Sequence, residues 1–192
     1  MSPTIETLSA QFGQLVVVPP AAPSPAPAPA PVTVTATAPA PVPGAVATAT
    51  PAPVAPPPVP PSPIQLTSHA AKGYDLDVTV PSSDVVAAAL ILDHDGFALD
   101  AVTGVDWLAQ EQMEVVYDDF HPTVALRVVV RTRLPRANPE WPTDGTVFPG
   151  ATWHERETHD FFGIRFSGHP NLKPFLLPED ANFHPLRKDY QP

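Results

Sequence analysis

Apolar positions along the chain change period several times, and each period predicts an element. Ile5, Leu8, Phe12 and Leu15 recur at helical spacing behind Ser2-Pro3, which reads as an N-cap followed by proline at the first helical position. A short helix therefore opens the chain, with Gly13 as a weak point, and the β-branched run Val16–Val18 predicts a short edge strand after it. Tyr74, Leu76, Val78 and Val80 alternate and stop at Pro81, the pattern of a half-buried strand. Ser82 or Ser83 then caps a helix running to about Leu92 on Val85, Val86, Ala89, Leu90 and Leu92, and Asp93–Gly96 is turn chemistry. Strands follow over Phe97–Val105, Met113–Asp119 and Val124–Arg133, the last two forming a hairpin around His121-Pro122. Leu134–Pro149, broken by four prolines, reads as loop, and Trp153–Phe162 as the last helix. From Gly163 onward Gly and Pro are too frequent for long regular elements. Strands in succession with few helices predict a two-layer α+β domain with a mixed sheet and an extended C-terminal tail.

Composition divides the chain. The 45 residues from Pro19 to Pro63 hold 18 of its 30 prolines and otherwise only Ala, Val, Thr, Ser and Gly. Without charge or aromatic ring, this stretch cannot bury enough apolar surface to offset its ordering entropy. It reads as a disordered, polyproline-II-rich Pro/Ala insertion, up to roughly 140 Å long at about 3.1 Å per residue. Residues 1–18 are then a helical head and residues 64–192 a domain large enough for one core. All ten basic residues lie at Lys72 or beyond, and residues 64–192 carry 10 basic against 19 acidic groups. That excess argues against a nucleic-acid partner, which demands a positive face. With no cysteine the chain can hold no disulfide, no thiolate zinc and no Cys-ligated iron–sulfur cluster. No run of 18 apolar residues exists, and the N-terminus lacks a secretory pattern, so the expected address is cytoplasmic.

The charge-rich helix is the first candidate site. Thr152-Trp-His-Glu155 fits a capping box, and Gly163 supplies a left-handed stop. Trp153, Arg156, Glu157 and Asp160 are three or four residues apart, so Arg156 is expected to meet Asp160 with Glu157 on the same side, the ions paired rather than solvated. His154 and His159 are five apart, about 140° off in direction, which fails the two-histidine zinc geometry of a helix. Glu155 and His159 are four apart and could take a metal with His169 or His184, but a capped, salt-bridged helix is the better account. A glycosidase pair of Glu155 or Glu157 with Asp160 is weaker still, because helical neighbours seldom flank a cleft. No phosphate loop and no Gly-x-Ser-x-Gly occur, so no catalytic residue is assigned. In the tail, Phe166–Pro170 and Pro185–Tyr190 bracket the apolar run Phe175-Leu176-Leu177. It reads equally as a wrap over its own domain or as a segment lying on another protein.

Trp153-His-Glu-Arg-Glu157, Asp160-Phe-Phe-Gly163-Ile, Phe166-Ser-Gly-His-Pro170 and Pro185-Leu-Arg-Lys-Asp-Tyr190 together resemble the 30-kDa subunit family of respiratory complex I, the NADH–quinone oxidoreductase. Ala101-Val-Thr-Gly-Val-Asp-Trp107, with Ala101 where the family has Asp, and Glu114-Val-Val-Tyr117 also resemble family segments, as does Ile5–Gly13 its opening helix. Lys173-Pro174 stands where the family has two consecutive Arg, and Asn182-Phe183 where Trp-x-Gly is common. The resemblance implies a proton-pumping NADH–quinone oxidoreductase in which this subunit, without a cofactor of its own, braces a 49-kDa-type subunit of the peripheral arm near the quinone site. FMN and iron–sulfur clusters would belong to partner subunits, and NADH and quinone would be substrates of the whole complex. The place implied is the cytoplasmic face of a bacterial inner membrane, reached only through the complex. Carried over by position, Trp153, Glu155, Arg156, Glu157 and Asp160 would fix the signature helix and the interface, ended by Gly163. Gly168, His169 and Pro170 would make the turn after it, and Leu186, Arg187, Lys188, Asp189 and Tyr190 the docking tail. The alternative is the equivalent subunit of a membrane-bound nickel–iron hydrogenase or ferredoxin-linked complex. From other classes come an adaptor recruiting through the Pro-rich stretch, and a metal hydrolase using Glu155 and His159.

Overall fold

Period-two alternation becomes a sheet because the apolar side of each strand meets the apolar side of the next. The computed structural model describes residues 3–15 and 62–191. The expected strand at Val16–Val18 and residues 19–61 of the expected insertion lie outside the described residues. Along the chain run α1 (Ile5–Leu15), β1 (Ile64–Leu66), α2 (His69–Lys72), β2 (Leu76–Thr79), α3 (Val85–His94), β3 (Ala98–Trp107), β4 (Gln112–Phe120), β5 (Arg127–Pro135), β6 (Glu140–Pro142), α4 (Ala151–Phe162) and β7 (Arg165–Ser167). The main sheet has the order β1-β2-β5-β4-β3, with β2 parallel to β5 and the other neighbours antiparallel. A second pair, β6 and β7, is parallel. This is the expected mixed sheet with few helices and an irregular tail. The three-residue strands β1, β6 and β7, and the single turn α2, are too short to leave a readable period.

Register sorts the side chains onto two faces. Leu76 and Val78 align with Val128 and Val130, which align with Tyr117 and its neighbours on β4 and, through them, with Val102 and Gly104 on β3. This face carries the core, into which α1 inserts Leu8 and Phe12, both fully buried. Burial of each contributes about 1.5–3 kcal/mol, enough to hold a helix of 11 residues that is marginal alone. The expected Ser2 cap lies outside the described residues; the helix starts at Ile5, where Thr4 and Thr7 bond reciprocally, each hydroxyl accepting from the other's backbone N–H at 3.2 and 3.0 Å. Across β3, α4 comes so close that a Cβ on Gly104 would stand 2.6 Å from Phe162 Cδ2 and 2.9 Å from Thr158 Cγ2. Phe162 is therefore half-buried against the sheet.

The opposite face carries ion pairs. Arg131 meets Asp77 at 3.1 Å, Arg133 meets Glu114 at 3.0 Å, and Arg127 meets Asp118 at 3.0 Å and also Asp100. Asp100 reaches Arg127 from the bulge that interrupts the β3–β4 register between Leu99 and Ala101. Glu114, 2% exposed, also accepts the Trp107 indole N–H at 2.8 Å, and Arg133 stacks over the Trp107 ring.

Candidate functional site

The site grows from the two ends of α4. At the start, Gly150 occupies the N-cap and the Thr152 hydroxyl donates to Pro149 O at 2.8 Å, so the expected capping box does not form. Glu155 points inward instead, fully buried, and accepts the Thr143 hydroxyl at 2.6 Å and the Asp144 N–H at 2.7 Å. Those donors sit at the tip of the preceding loop, beyond the reach of a local pattern. Burial pushes the Glu155 carboxyl up from its ordinary value, opposed by these donors and by His169. Asn171 N–H donates to His169 Nδ1 at 3.0 Å, which leaves Nε2 to donate to Thr152 O at 3.0 Å, with Glu155 Oε2 3.9 Å away. The turn before it is made by Gly168 at φ +84°. Pro170, next along, is exposed.

The middle of α4 corrects the expected Arg156–Asp160 pair. Arg156 donates to two backbone carbonyls, Lys173 O at 3.0 Å and Pro174 O at 2.9 Å, while its guanidinium lies 4.9 Å over the Phe175 ring and 5.3 Å over the Trp153 ring. Asp160, buried, accepts the next three N–H groups, Phe175 and Leu176 at 2.7 Å and Leu177 at 3.2 Å. Burial pushes its carboxyl up, but the three amides outweigh burial and hold it below the usual range. The tail competes successfully for both side chains because its irregular backbone has no strand or helix to satisfy it. Glu157 is exposed and has no ion-pair partner among the described residues, so it does not join a charge network.

The C-terminus of α4 leaves four carbonyls without helical partners, and each finds one. Gly163, left-handed at φ +71°, donates to His159 O at 2.8 Å. His184 Nδ1 donates to Asp160 O at 2.8 Å, Leu186 N–H to Phe161 O at 3.2 Å, and Arg187 Nε to Phe162 O at 2.7 Å. A Cβ on Gly163 would stand 2.5 Å from His184 Nε2 and 2.6 Å from Arg187 Nη2, so the tail packs directly on the stop. Burial and the Arg136 charge lower the Arg187 guanidinium. Beyond it, buried Asp106 accepts the Lys188 N–H at 2.9 Å and Arg136 Nε at 2.9 Å, and Arg136 also holds Asp189. Tyr190 stacks on Phe183 with ring centroids 5.7 Å apart. Asp106 was legible only as part of the Val-Asp-Trp segment. Its partner Arg136 is 30 residues away and carried no sequence signal.

The outcome is a backbone-anchored tail whose apolar side chains face outward. Trp153 (56% exposed), Phe175, Leu176 and Leu186 stand on the surface, with Trp153 and Phe175 in contact at 5.3 Å. Glu155 and His159 do not converge: His159 Nδ1 donates to Ile164 O at 2.7 Å, and no group of three or more metal-ligating side chains forms among the described residues. An exposed aromatic pair flanking a fixed Arg is the composition of a protein-binding hot spot.

The profile described as respiratory-chain NADH dehydrogenase, 30 Kd subunit, matches residues 78–192, which contain α4 and the tail. An NADH-quinone oxidoreductase subunit from Roseiflexus sp. is 42% identical over 120 residues, 60% of this chain and 69% of the relative. An F(420)H(2) dehydrogenase subunit from Methanosarcina mazei is 37% identical over 134 residues, 68% of this chain and 78% of the relative. Among solved structures, a chain of the membrane-bound sulfane sulfur reductase, an archaeal respiratory membrane complex, superposes with a TM-score of 0.56 at 28% identity, covering 60% of this chain and 71% of the other.

Proposed function

Because the chain belongs to the family of the respiratory-chain NADH dehydrogenase 30 Kd subunit, we propose that it is a non-catalytic subunit of the peripheral arm of a proton-pumping NADH–quinone oxidoreductase. In this reading it braces a 49-kDa-type subunit near the quinone site. It reaches the cytoplasmic face of the membrane only through the complex, in keeping with the lack of any helix among the described residues that is long and apolar enough to cross a bilayer. In the same reading FMN and the iron–sulfur clusters belong to partner subunits; for the clusters, a chain without cysteine offers no thiolate. The observation that carries the bracing role is the tail fixed to α4 by its backbone while Trp153, Phe175, Leu176 and Leu186 stay exposed. A surface already ordered before contact loses little conformational freedom on binding. Trp153, Arg156, Phe175, Leu176 and Leu186–Tyr190 are the interface; Glu155, Asp160, Gly163, Gly168 and His169 position it.

Affinity capture of the tagged chain from gently solubilised membranes tests this. Recovery of an NADH-oxidising flavoprotein together with a 49-kDa-type subunit is expected, and its loss in Trp153→Ala with Leu176→Ala ties the contact to this surface. Recovery of neither partner would remove the assignment. Bound iron or NADH oxidation by the isolated chain would remove the non-catalytic role.

A second reading is favoured by the 37% identity to an F(420)H(2) dehydrogenase subunit and the 28% identity to a chain of a sulfane sulfur reductase complex. The same subunit would then serve a complex with a different electron donor, a hydrogenase-type or ferredoxin-linked assembly included. The captured partner decides: a large subunit keeping four nickel-ligating cysteines marks the hydrogenase type.

A further inference from the structure

Beneath α3, away from the tail, three polar atoms lack a hydrogen-bond partner among the described residues: Tyr117 Oη, Asp119 Oδ1 and Asp144 Oδ1. Each belongs to a residue no more than 2% exposed. All three residues line one cavity of about 10 Å³, whose remaining wall is apolar: Val85, Ala88, Ala89 and Leu92 of α3, and Val130 of β5. Two charged carboxylates in such a place are heavily penalised without a cation, and the cavity wall presents none. From α4 the nearest titratable group is Glu155, another acid, and His169 faces Glu155 rather than the pair. From the strands Asp118 and Asp100 add further negative charge toward Asp119, and α3 presents only aliphatic side chains. A carboxylic acid, unlike a carboxylate, owns an O–H and can donate to its neighbour. A cavity of this size has room for about one water, which wants two to four polar partners.

We propose that Asp119 and Asp144 share one buried proton, and that the cavity binds a single water bridging the two carboxyl groups to the Tyr117 hydroxyl. The electrostatics agree: burial, then Glu155, pushes Asp144 up to about 7; burial, then Asp144, pushes Asp119 well up; and burial, then Asp144, pushes Tyr117 up. The pair is a proton-binding site built into the floor under α3. As its proton leaves, an uncompensated negative charge faces Val85, Ala88 and Leu92, and the contact between α3 and the sheet weakens.

The test is urea unfolding of the full chain from pH 4 to pH 8, for wild type and Asp144→Asn. A carboxyl with a raised folded-state value binds its proton more tightly when folded. Its stabilisation is whole below about pH 4, declines as pH rises toward 7 and is level above that. Between pH 5 and 6.5 the wild-type unfolding constant should rise about tenfold per pH unit more steeply than that of Asp144→Asn, the effect of one proton. Parallel curves would overturn the proposal. Infrared spectra of folded wild type at pH 6 should show a protonated-carboxyl C=O band that is absent in Asp144→Asn; a spectrum lacking that band in wild type also overturns it. Should Asp144→Asn fail to fold, the double variant Asp119→Asn with Asp144→Asn, which leaves neither carboxyl to hold the proton, takes its place with the same two expectations. Tyr117→Phe should keep the band but move its frequency, and an unmoved band would remove the bridging water.

Discussion

Arg156 and Asp160, one turn apart on α4, grip consecutive stretches of the same tail by opposite poles of the peptide: Arg156 takes the carbonyls of residues 173 and 174, and Asp160 the amides of residues 175–177. A guanidinium can only donate and a carboxylate can only accept, so each side chain reads a different half of the backbone and neither could replace the other. Asp160→Ala strands three amides and should destabilise the tail by about 1.5–3 kcal/mol, the range for bonds to a charged group. Limited proteolysis should then cut near Phe175–Leu177 while the sheet survives. Arg156→Lys should loosen the same segment, because an ammonium lacks the planar fork that spans two carbonyls.

Acid should reach this grip late. The Asp160 carboxyl is held below its ordinary value of 3.8, since the three amides outweigh burial. A group depressed in the folded state gives stability that is present above 3.8 and is lost as pH falls through the lower folded value. The difference in Trp fluorescence between the chain and its Trp153→Phe variant, which isolates the Trp153–Phe175 contact from Trp107 and Trp141, should be flat from pH 7 to 5 and change only in stronger acid. Asp160→Asn should remove that late change.

Gly163→Ala should detach the tail from the end of α4. The left-handed φ of +71° costs a residue with a side chain about 1–2 kcal/mol. The new methyl would also meet His184 and Arg187 at 2.5–2.6 Å. Partner capture should fall by more than the small drop in melting temperature explains.

Gly104→Ala tests a different joint. Its Cβ would press on Phe162 and Thr158 at 2.6 and 2.9 Å, so α4 must move off β3, and thermal unfolding should show a loss of about 1–3 kcal/mol. Gly104→Ser should cost at least as much.

The long strands were readable because Leu76, Val78 and their partners obey a period that survives any tertiary context. The capping box failed for the opposite reason. Thr152 and Glu155 have the right spacing, but the buried Thr143 hydroxyl and Asp144 amide offer Glu155 a partner that a four-residue window cannot contain. Likewise the i, i+4 spacing of Arg156 and Asp160 is real, yet five unsatisfied backbone groups of the tail outbid the pair. Trp153, Gly163 and Gly168–Pro170 were found by motif. Asp106 with Arg136, and the Tyr117–Asp119–Asp144 cavity, arise only when distant segments meet.

The arginines on the open face of the sheet set how the chain looks from a distance. Arg127, Arg131 and Arg133 of β5 are each neutralised at close range, as are Arg136 and Arg165 elsewhere, which commits half of the ten basic side chains on a chain of net charge −10. What remains beyond a Debye length of about 8 Å is the field of the acidic excess. Anionic lipid headgroups would repel that field, so the bilayer itself offers the chain no electrostatic foothold. In the proposed complex, contact with the membrane would therefore run through the neighbouring subunits and not through charge on this chain.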